Sequence, residues 1–139
     1  MIQILEKKIA GELLTFTNLR ALFWESKKIL IISDLHIGKA AYFRKNGIAM
    51  PVNILQKDLQ NLEFLLENFK VEHLVIVGDL FHAGKNSEID QFCEWRKQFS
   101  HLEITLIKGN HDRIKKEFYH ENCIEIVQDS LEISPFTFI

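Results

Sequence analysis

Side chains of the kind that bind divalent metals stand directly after three apolar stretches of the sequence. They are Asp34 and His36 after residues 29–32, Asp79 and His82 after residues 75–77, and Asn110, His111 and Asp112 after residues 105–107. Carboxylate oxygens and imidazole nitrogens together suit a divalent cation such as Mn²⁺, Fe²⁺ or Zn²⁺. A single Asp-X-His pair has a structural alternative, as a turn cap beside a loop histidine. Because side chains of this kind recur after three separate apolar runs, metal binding is favoured over the structural alternative.

The apolar runs predict strands that bring these side chains together. Each run lacks the alternation of a half-exposed strand, which is typical of strands buried on both faces in a parallel α/β sheet. The carboxyl ends of parallel strands meet at one edge, where such folds bind ligands. Gly78 and Gly109 directly precede two of the motifs and allow the backbone to turn tightly there.

In order and spacing, these motifs resemble the first three motifs of the calcineurin-like metallophosphoesterases. The matching stretches are Asp34-Leu35-His36, Gly78-Asp79-Leu80-Phe81-His82 and Gly109-Asn110-His111-Asp112. Within that superfamily, residues 33–39, 43–47 and Pro51 are similar to the ligase-associated DNA-damage-response phosphoesterases of the PdeM type, distant relatives of the SbcD nucleases. The resemblance implies the family's α/β sandwich with parallel central strands. It also implies a metal-dependent phosphodiesterase, with a DNA-repair nuclease as its biological role.

The resemblance assigns a role to each motif residue. Asp34 and His36 would bind one metal, Asp79 would bridge two, and Asn110 would bind the second through its carbonyl oxygen. The pair of cations, Mn²⁺ first and Fe²⁺, Zn²⁺ or Mg²⁺ as alternatives, would hold a hydroxide that attacks phosphorus.

The third motif and its surroundings would act on the phosphate. By the same resemblance, His111 would contact the phosphate and assist the leaving oxygen. Asp112 would orient that imidazole, cap the helix that follows, or do both. Four further residues are predicted to support the metal ligands or to contact phosphate: His82, Lys39, Arg44 and Arg113.

The family pattern continues beyond the motifs that this chain carries. Family members have a histidine at another strand end and then a Gly-His-X-His motif, whereas no histidine follows His120. The second metal would then have only Asp79 and Asn110, so we expect it to bind weakly. The sequence therefore predicts one incomplete domain over residues 1–139 with a truncated second sheet. The alternative function is a catalytically impaired module that binds metal or forms oligomers.

Composition narrows the class of protein. A chain of 139 residues with 47% hydrophobic residues fits one domain, and a net charge of −2 gives no overall attraction to nucleic acid. Basic residues gather near the motifs instead, at Lys39, Arg44, Lys45, Lys85, Lys108, Arg113, Lys115 and Lys116. No apolar run reaches the ~18 residues of a membrane span. Cys93 and Cys123 form no CxxC pair, which favours reduced core thiols in a cytoplasmic protein.

The remaining segments complete the predicted fold. Residues 2–9, 12–16 and 19–24 are expected to form a strand meander, and residues 39–46 a short helix. Met50-Pro51 would begin a long helix whose apolar stripe of Leu55, Leu59, Leu62, Leu66 and Phe69 covers the sheet. A capping box at Ser87-Glu88-Ile89-Asp90 would open a helix to about Phe99. His73, His101 and His120 are predicted to face solvent.

The C-terminus predicts an assembly. Residues 124–127, 131–133 and 136–139 are expected to be strands, and the apolar segment from Phe136 to Ile139 would expose an edge and an apolar face. A second copy would cover them, so we predict a homodimer or larger assembly whose interface includes residues 124–139. The other predicted partners are DNA as the phosphodiester substrate and, by family resemblance, a DNA ligase or helicase of repair.

Overall fold

The computed structural model describes residues 1–82, 84–110 and 112–139. Nine strands are present in this part of the chain: β1 (Ile4–Ile9), β2 (Glu12–Thr17), β3 (Ala21–Trp24), β4 (Ile29–Ser33), β5 (His73–Val77), β6 (Glu103–Ile107), β7 (Ile124–Val127), β8 (Leu131–Ile133) and β9 (Phe136–Phe138). The α-helices are α1 (Lys39–Lys45), α2 (Ile54–Asn68), α3 (Ser87–Lys97) and α4 (Lys116–Glu121), and a 3-10 turn spans Glu25–Lys27.

Seven strands form one mixed sheet in the order of the sequence, from β1 to β7. The first four are an antiparallel meander, as the sequence predicts, and β4 to β7 are parallel. Antiparallel neighbours need only short turns, whereas each parallel pair is joined by a connection that contains a helix. The predicted α/β architecture with parallel central strands is confirmed.

The sheet is covered differently on its two faces. Leu30, Leu74 and Leu106 face a core that includes the α2 stripe and the aromatic side chains of α3 and α4. The opposite face carries Trp24, Val75 and other apolar residues, and the β8–β9 hairpin packs against it. Because both faces are covered, the central strands bury nearly all of their side chains, which explains their unbroken apolar sequences.

The hairpin corrects one premise of the predicted dimer. Phe136 and Phe138 do not form an open apolar face, because they pack against the sheet, where the ring centroid of Phe136 lies 4.9 Å from that of Trp24 in an edge-to-face contact. The second sheet, with only two strands among the residues described, is small, as predicted.

One predicted helix start and one predicted helix cap are wrong, although α3 does begin at Ser87 as predicted. Helix α2 begins at Ile54 after Asn53, not at Pro51. Helix α3 has Asn86 as its N-cap, whose side-chain oxygen accepts hydrogen bonds from the backbone N–H groups of Glu88 and Ile89, so the residues from Ser87 onward are not a capping box.

Two other residues also differ from their predicted environment. Cys93 is buried as expected, but Cys123 is exposed. His73 is half-buried, and its Nε2 lies 2.8 Å from the Thr105 hydroxyl, so it does not simply face solvent.

Candidate metal centre

Backbone hydrogen bonds tie the exits of β4, β5 and β6 into one rim. The N–H of Asp34 donates to the Gly78 carbonyl at 3.1 Å, and the N–H of His36 donates to the Asp79 carbonyl at 3.0 Å. The Gly78 N–H donates to the carbonyl of Ile107 at 2.8 Å. The parallel pairing of these strands therefore continues into their loops, which fixes where the side chains of the first two motifs emerge.

Three predicted metal ligands meet at this rim. One potential donor atom from each of Asp34, His36 and Asp79 lies within 4.8 Å of the others. The Nε2 of His36 and an Oδ atom of Asp34 are 3.9 Å apart, inside the ~4.2 Å spanned by two ligands on opposite sides of one cation. Asp34 is exposed and the other two are half-buried, so the cluster is open to solvent on one side. A carboxylate, an imidazole and a carboxylate at this separation fit a divalent cation.

All three residues adopt the left-handed backbone conformation, which is uncommon for residues other than glycine. Their φ angles are 54° for Asp34, 48° for His36 and 53° for Asp79. Asp and His tolerate this region better than most side chains do, and such backbone concentrates at functional sites. This conformation turns the backbone sharply where β4 and β5 end. The side-chain alternation of an extended strand does not predict such a turn.

Gly109 permits the third strand exit to approach Asp79. A Cβ atom at Gly109 would lie 2.5 Å from Oδ1 of Asp79 and 2.6 Å from its backbone nitrogen. Distances this short do not occur for real Cβ atoms, so any other residue here would displace the Asp79 loop. The glycine is needed for this close approach, and its own φ is not in the left-handed region.

Asp112 holds the loop that carries Asp79. One carboxylate oxygen accepts the N–H of Asp79 at 2.7 Å and that of Gly109 at 2.8 Å, and the other accepts the N–H of Phe81 at 3.1 Å. Asp112 is fully buried, and burial raises the pKa of its carboxyl group, while the three N–H donors act in the opposite direction. The alternative role as a helix cap is wrong, because α4 begins at Lys116 after Lys115.

Of the other predicted residues of the third motif, the structure describes Asn110. Asn110 follows Gly109 at the exit of β6 and is exposed, and its carbonyl accepts a hydrogen bond from Nε of Arg113 at 3.3 Å. His111 lies outside the described residues. Its predicted contact with phosphate, and its predicted orientation by Asp112, therefore stay predictions.

His82 stands between the metal ligands and an aromatic group on α1. Its ring centroid lies 6.0 Å from that of His36, 5.2 Å from that of Tyr42 and 5.8 Å from that of Phe43. The placement beside His36 is compatible with a supporting role for His82. The two aromatic neighbours are not evident in the sequence, because they are 39 or more residues away from His82.

The two cations predicted after the first motif have different surroundings. The guanidinium of Arg44 pairs with the buried carboxylate of Glu88 at 3.4 Å and donates to the carbonyl of Pro51 at 3.1 Å. Glu88 also accepts the Ala41 N–H at 2.7 Å, so it anchors α1 to α3. Lys39 is exposed, with its ammonium 5.7 Å from the centroid of Phe43. Sequence reasoning missed Glu88, which only tertiary contacts distinguish from a surface acid.

A family model supports what the rim geometry suggests. The model for calcineurin-like phosphoesterases matches residues 27–135, which include all three strand exits. The chain belongs to the calcineurin-like phosphoesterase family. Metal use by this family agrees with the donor set at the rim. No curated protein matches the chain at a significant level.

A solved structure gives a more specific likeness. This calcineurin-like phosphoesterase chain is similar to the crystal structure of the Pseudomonas putida nuclease MPE, with a TM-score of 0.82 and 27% sequence identity. The match covers 96% of this chain and 64% of the nuclease chain. The chain thus spans about two-thirds of the length of the nuclease that it resembles.

Within residues 1–82, 84–110 and 112–139, no helix combines the length and the apolar character needed to cross a membrane.

Proposed function

We propose that this protein hydrolyses phosphodiester bonds at a divalent-metal centre held by Asp34, His36, Asp79 and Asn110. The observation that carries the proposal is the meeting of three donor side chains from two strand exits within 4.8 Å. Membership of the calcineurin-like phosphoesterase family and similarity to a nuclease support nucleic acid as the substrate.

Each part of the rim has a distinct task in this proposal. A divalent cation bound there would neutralise phosphate charge and supply an activated water at neutral pH. Asp79 lies close both to the first-motif ligands and to Gly109 at the exit of β6, which supports the proposal that it serves two cations. Asp112 keeps the Asp79 loop in position, and His111 is proposed to protonate the leaving oxygen. Mn²⁺ is the proposed metal, with Fe²⁺, Zn²⁺ and Mg²⁺ as alternatives.

The experiment compares ligand variants for metal binding and for turnover. We expect Asp79→Asn to weaken Mn²⁺ binding in calorimetric titration more than Asn110→Ala does, and to lower hydrolysis of bis-p-nitrophenyl phosphate by at least ~100-fold. Asp90→Asn is the matched control, because Asp90 is an exposed aspartate on α3 and should leave both measurements near those of the parent. Equal Mn²⁺ affinities for Asp79→Asn and Asn110→Ala would contradict a central role for Asp79.

A module that binds metal without turnover is the second candidate. The observation in its favour is that only one group of three His, Cys, Asp or Glu donors occurs among the residues that the structure describes. Three donors with water can hold one cation, but a second cation would depend on Asn110 and shared groups. Mn²⁺ binding without hydrolysis of bis-p-nitrophenyl phosphate would favour this candidate.

The biological setting is a further part of the proposal. A role in DNA repair, a DNA ligase or helicase as partner and a cytoplasmic location are predictions from the family resemblance and composition. A homodimer through residues 124–139 also stays a prediction. Its support is the outer edge of β7, the last strand of the main sheet, which pairs with no further strand among the residues that the structure describes, and not an open face at Phe136.

A further inference from the structure

A continuous groove leads away from the candidate metal centre. Its first part is lined by Asp34 and His36 on one side and by Ile54 and Leu55 of α2 on the other. Its second part continues between α2 and the β2–β3 turn. The two parts share four lining residues: Arg20, Asp34, Leu35 and Asp58. The groove therefore starts at the metal ligands and extends past Arg20.

Arg20 stands where the two parts of the groove join. It is exposed on the β2–β3 turn, with a left-handed φ of 58°. The Thr17 hydroxyl holds this turn, since it donates to the Ala21 carbonyl at 2.8 Å and accepts the Leu19 N–H at 3.2 Å. Among the residues that the structure describes, no carboxylate forms a close ion pair with the Arg20 guanidinium. A fixed turn thus presents an accessible guanidinium beside the metal centre.

The groove carries more positive than negative charge beyond the metal ligands. Beyond the metal ligands, its charged lining residues are the cations Arg20, Lys39 and Lys57 and the carboxylates Asp58 and Glu88, and Glu88 is paired with Arg44. Desolvation in the groove raises the pKa of Asp58, and the nearby charges of Arg20 and Lys57 oppose that shift. Three lining cations therefore exceed the two lining carboxylates, and this net positive charge is the electrostatic character of a surface that follows a phosphate backbone.

We propose that this groove binds a nucleic-acid strand on one side of the cleaved phosphate, with Arg20 contacting the phosphate of a neighbouring nucleotide. The inference rests on the proposed function and specifies its substrate as a strand that extends beyond the cleaved bond. A small diester fills only the part of the groove at Asp34 and His36, whereas a strand continues past Arg20. Arginine suits this position because its planar guanidinium forms two parallel hydrogen bonds to a phosphate.

The test measures binding separately from turnover. Fluorescein-labelled single-stranded oligothymidylate is titrated with the full chain in Ca²⁺ in place of Mn²⁺, electrophoresis checks that the strand stays uncleaved, and fluorescence anisotropy gives the affinity. We expect Arg20→Ala to weaken binding by about 10-fold and to lower the slope of log affinity against log salt by about 1. Arg20→Lys should recover part of the loss. Lys8→Ala, which removes an exposed cation near the far end of the β1–β2 hairpin, should bind like the parent.

A double-mutant cycle separates phosphate contact from a structural role. If Arg20 only neutralises Asp58, then Arg20→Ala should have no effect on binding once Asp58→Asn is present, and the proposal is overturned. If Arg20 contacts phosphate, the loss of about 10-fold persists in the Asp58→Asn background, and Asp58→Asn alone binds more tightly than the parent.

Two measurements on the parent protein, oligothymidylate binding and hydrolysis of bis-p-nitrophenyl phosphate, separate this proposal from the proposed function. Arg20-dependent binding without hydrolysis of bis-p-nitrophenyl phosphate would support the groove and count against the enzyme. Hydrolysis by a parent whose oligothymidylate affinity does not depend on Arg20 would support the enzyme and refute the groove. Absence of any oligothymidylate binding would also refute it.

Discussion

Replacing Asp112 by asparagine tests whether this buried carboxylate holds the Asp79 loop. In the parent, its two oxygens accept backbone N–H groups from Asp79, Phe81 and Gly109. An asparagine has nearly the same shape but only one acceptor oxygen. If that oxygen keeps the two bonds to Asp79 and Gly109, the amide NH₂ faces the N–H of Phe81, and two donors oppose each other in a buried place.

The magnitude follows from the number and kind of these bonds. One hydrogen bond to a charged acceptor is worth about 1.5–3 kcal/mol, and the two that remain are weakened because the acceptor is now neutral. Phe81 is fully buried, so water cannot replace the lost bond. Removing a charge whose pKa burial raises offsets part of the loss. We expect the free energy of unfolding to fall by about 2–3 kcal/mol, or roughly 6–10 °C in Tm.

Two assays check this expectation. Urea unfolding should give the loss of stability for Asp112→Asn, while Asp90→Asn should stay within about 0.5 kcal/mol of the parent. Calorimetric titration should show Mn²⁺ affinity reduced by about 10- to 100-fold, since the Asp79 loop is no longer held in place. An Asp112→Asn protein with the stability and the Mn²⁺ affinity of the parent would refute the reasoning.

Two further predictions concern packing at the rim and the thiols. Gly109→Ala would place a Cβ atom 2.5 Å from the Asp79 carboxylate, so it should lower Mn²⁺ affinity by more than about 10-fold in the same titration. Gly84→Ala is its control, because nothing lies within 4 Å of a Cβ there, and an equal loss in both variants would contradict the packing argument. A thiol reagent at pH 8 should label exposed Cys123 in the folded protein but not buried Cys93. Burial raises the pKa of the Cys93 thiol to about 11, and the negative charge of Asp90 acts in the same direction. Labelling of Cys93 should rise as the pH approaches 11 or when the protein is unfolded in urea, and equal labelling of both thiols at pH 8 would contradict its burial.

The sequence by itself predicts the sheet and its order of elements. Unbroken apolar runs specify strands buried on both faces, and the stripe from Leu55 to Leu66 specifies the helix that covers them. These signals lie within single segments, because the periodicity of a strand or helix is a local property of the chain. The same holds for the types of metal ligand, whose chemistry is visible at Asp34, His36 and Asp79 before any fold is known.

Contacts between distant segments are what only the tertiary structure decides. The sequence suggests Asp112 as a helix cap or a partner of His111, but its carboxylate binds N–H groups of residues 79 and 81, more than 30 positions earlier. The left-handed φ angles of the strand exits and the position of Arg20 beside the groove likewise carry no local pattern. The C-terminal hairpin covers Trp24 from more than 100 positions away. Such contacts depend on how the strands and helices pack against one another. A buried polar or apolar group contacts whichever residues the tertiary structure places beside it, however distant they are in the sequence.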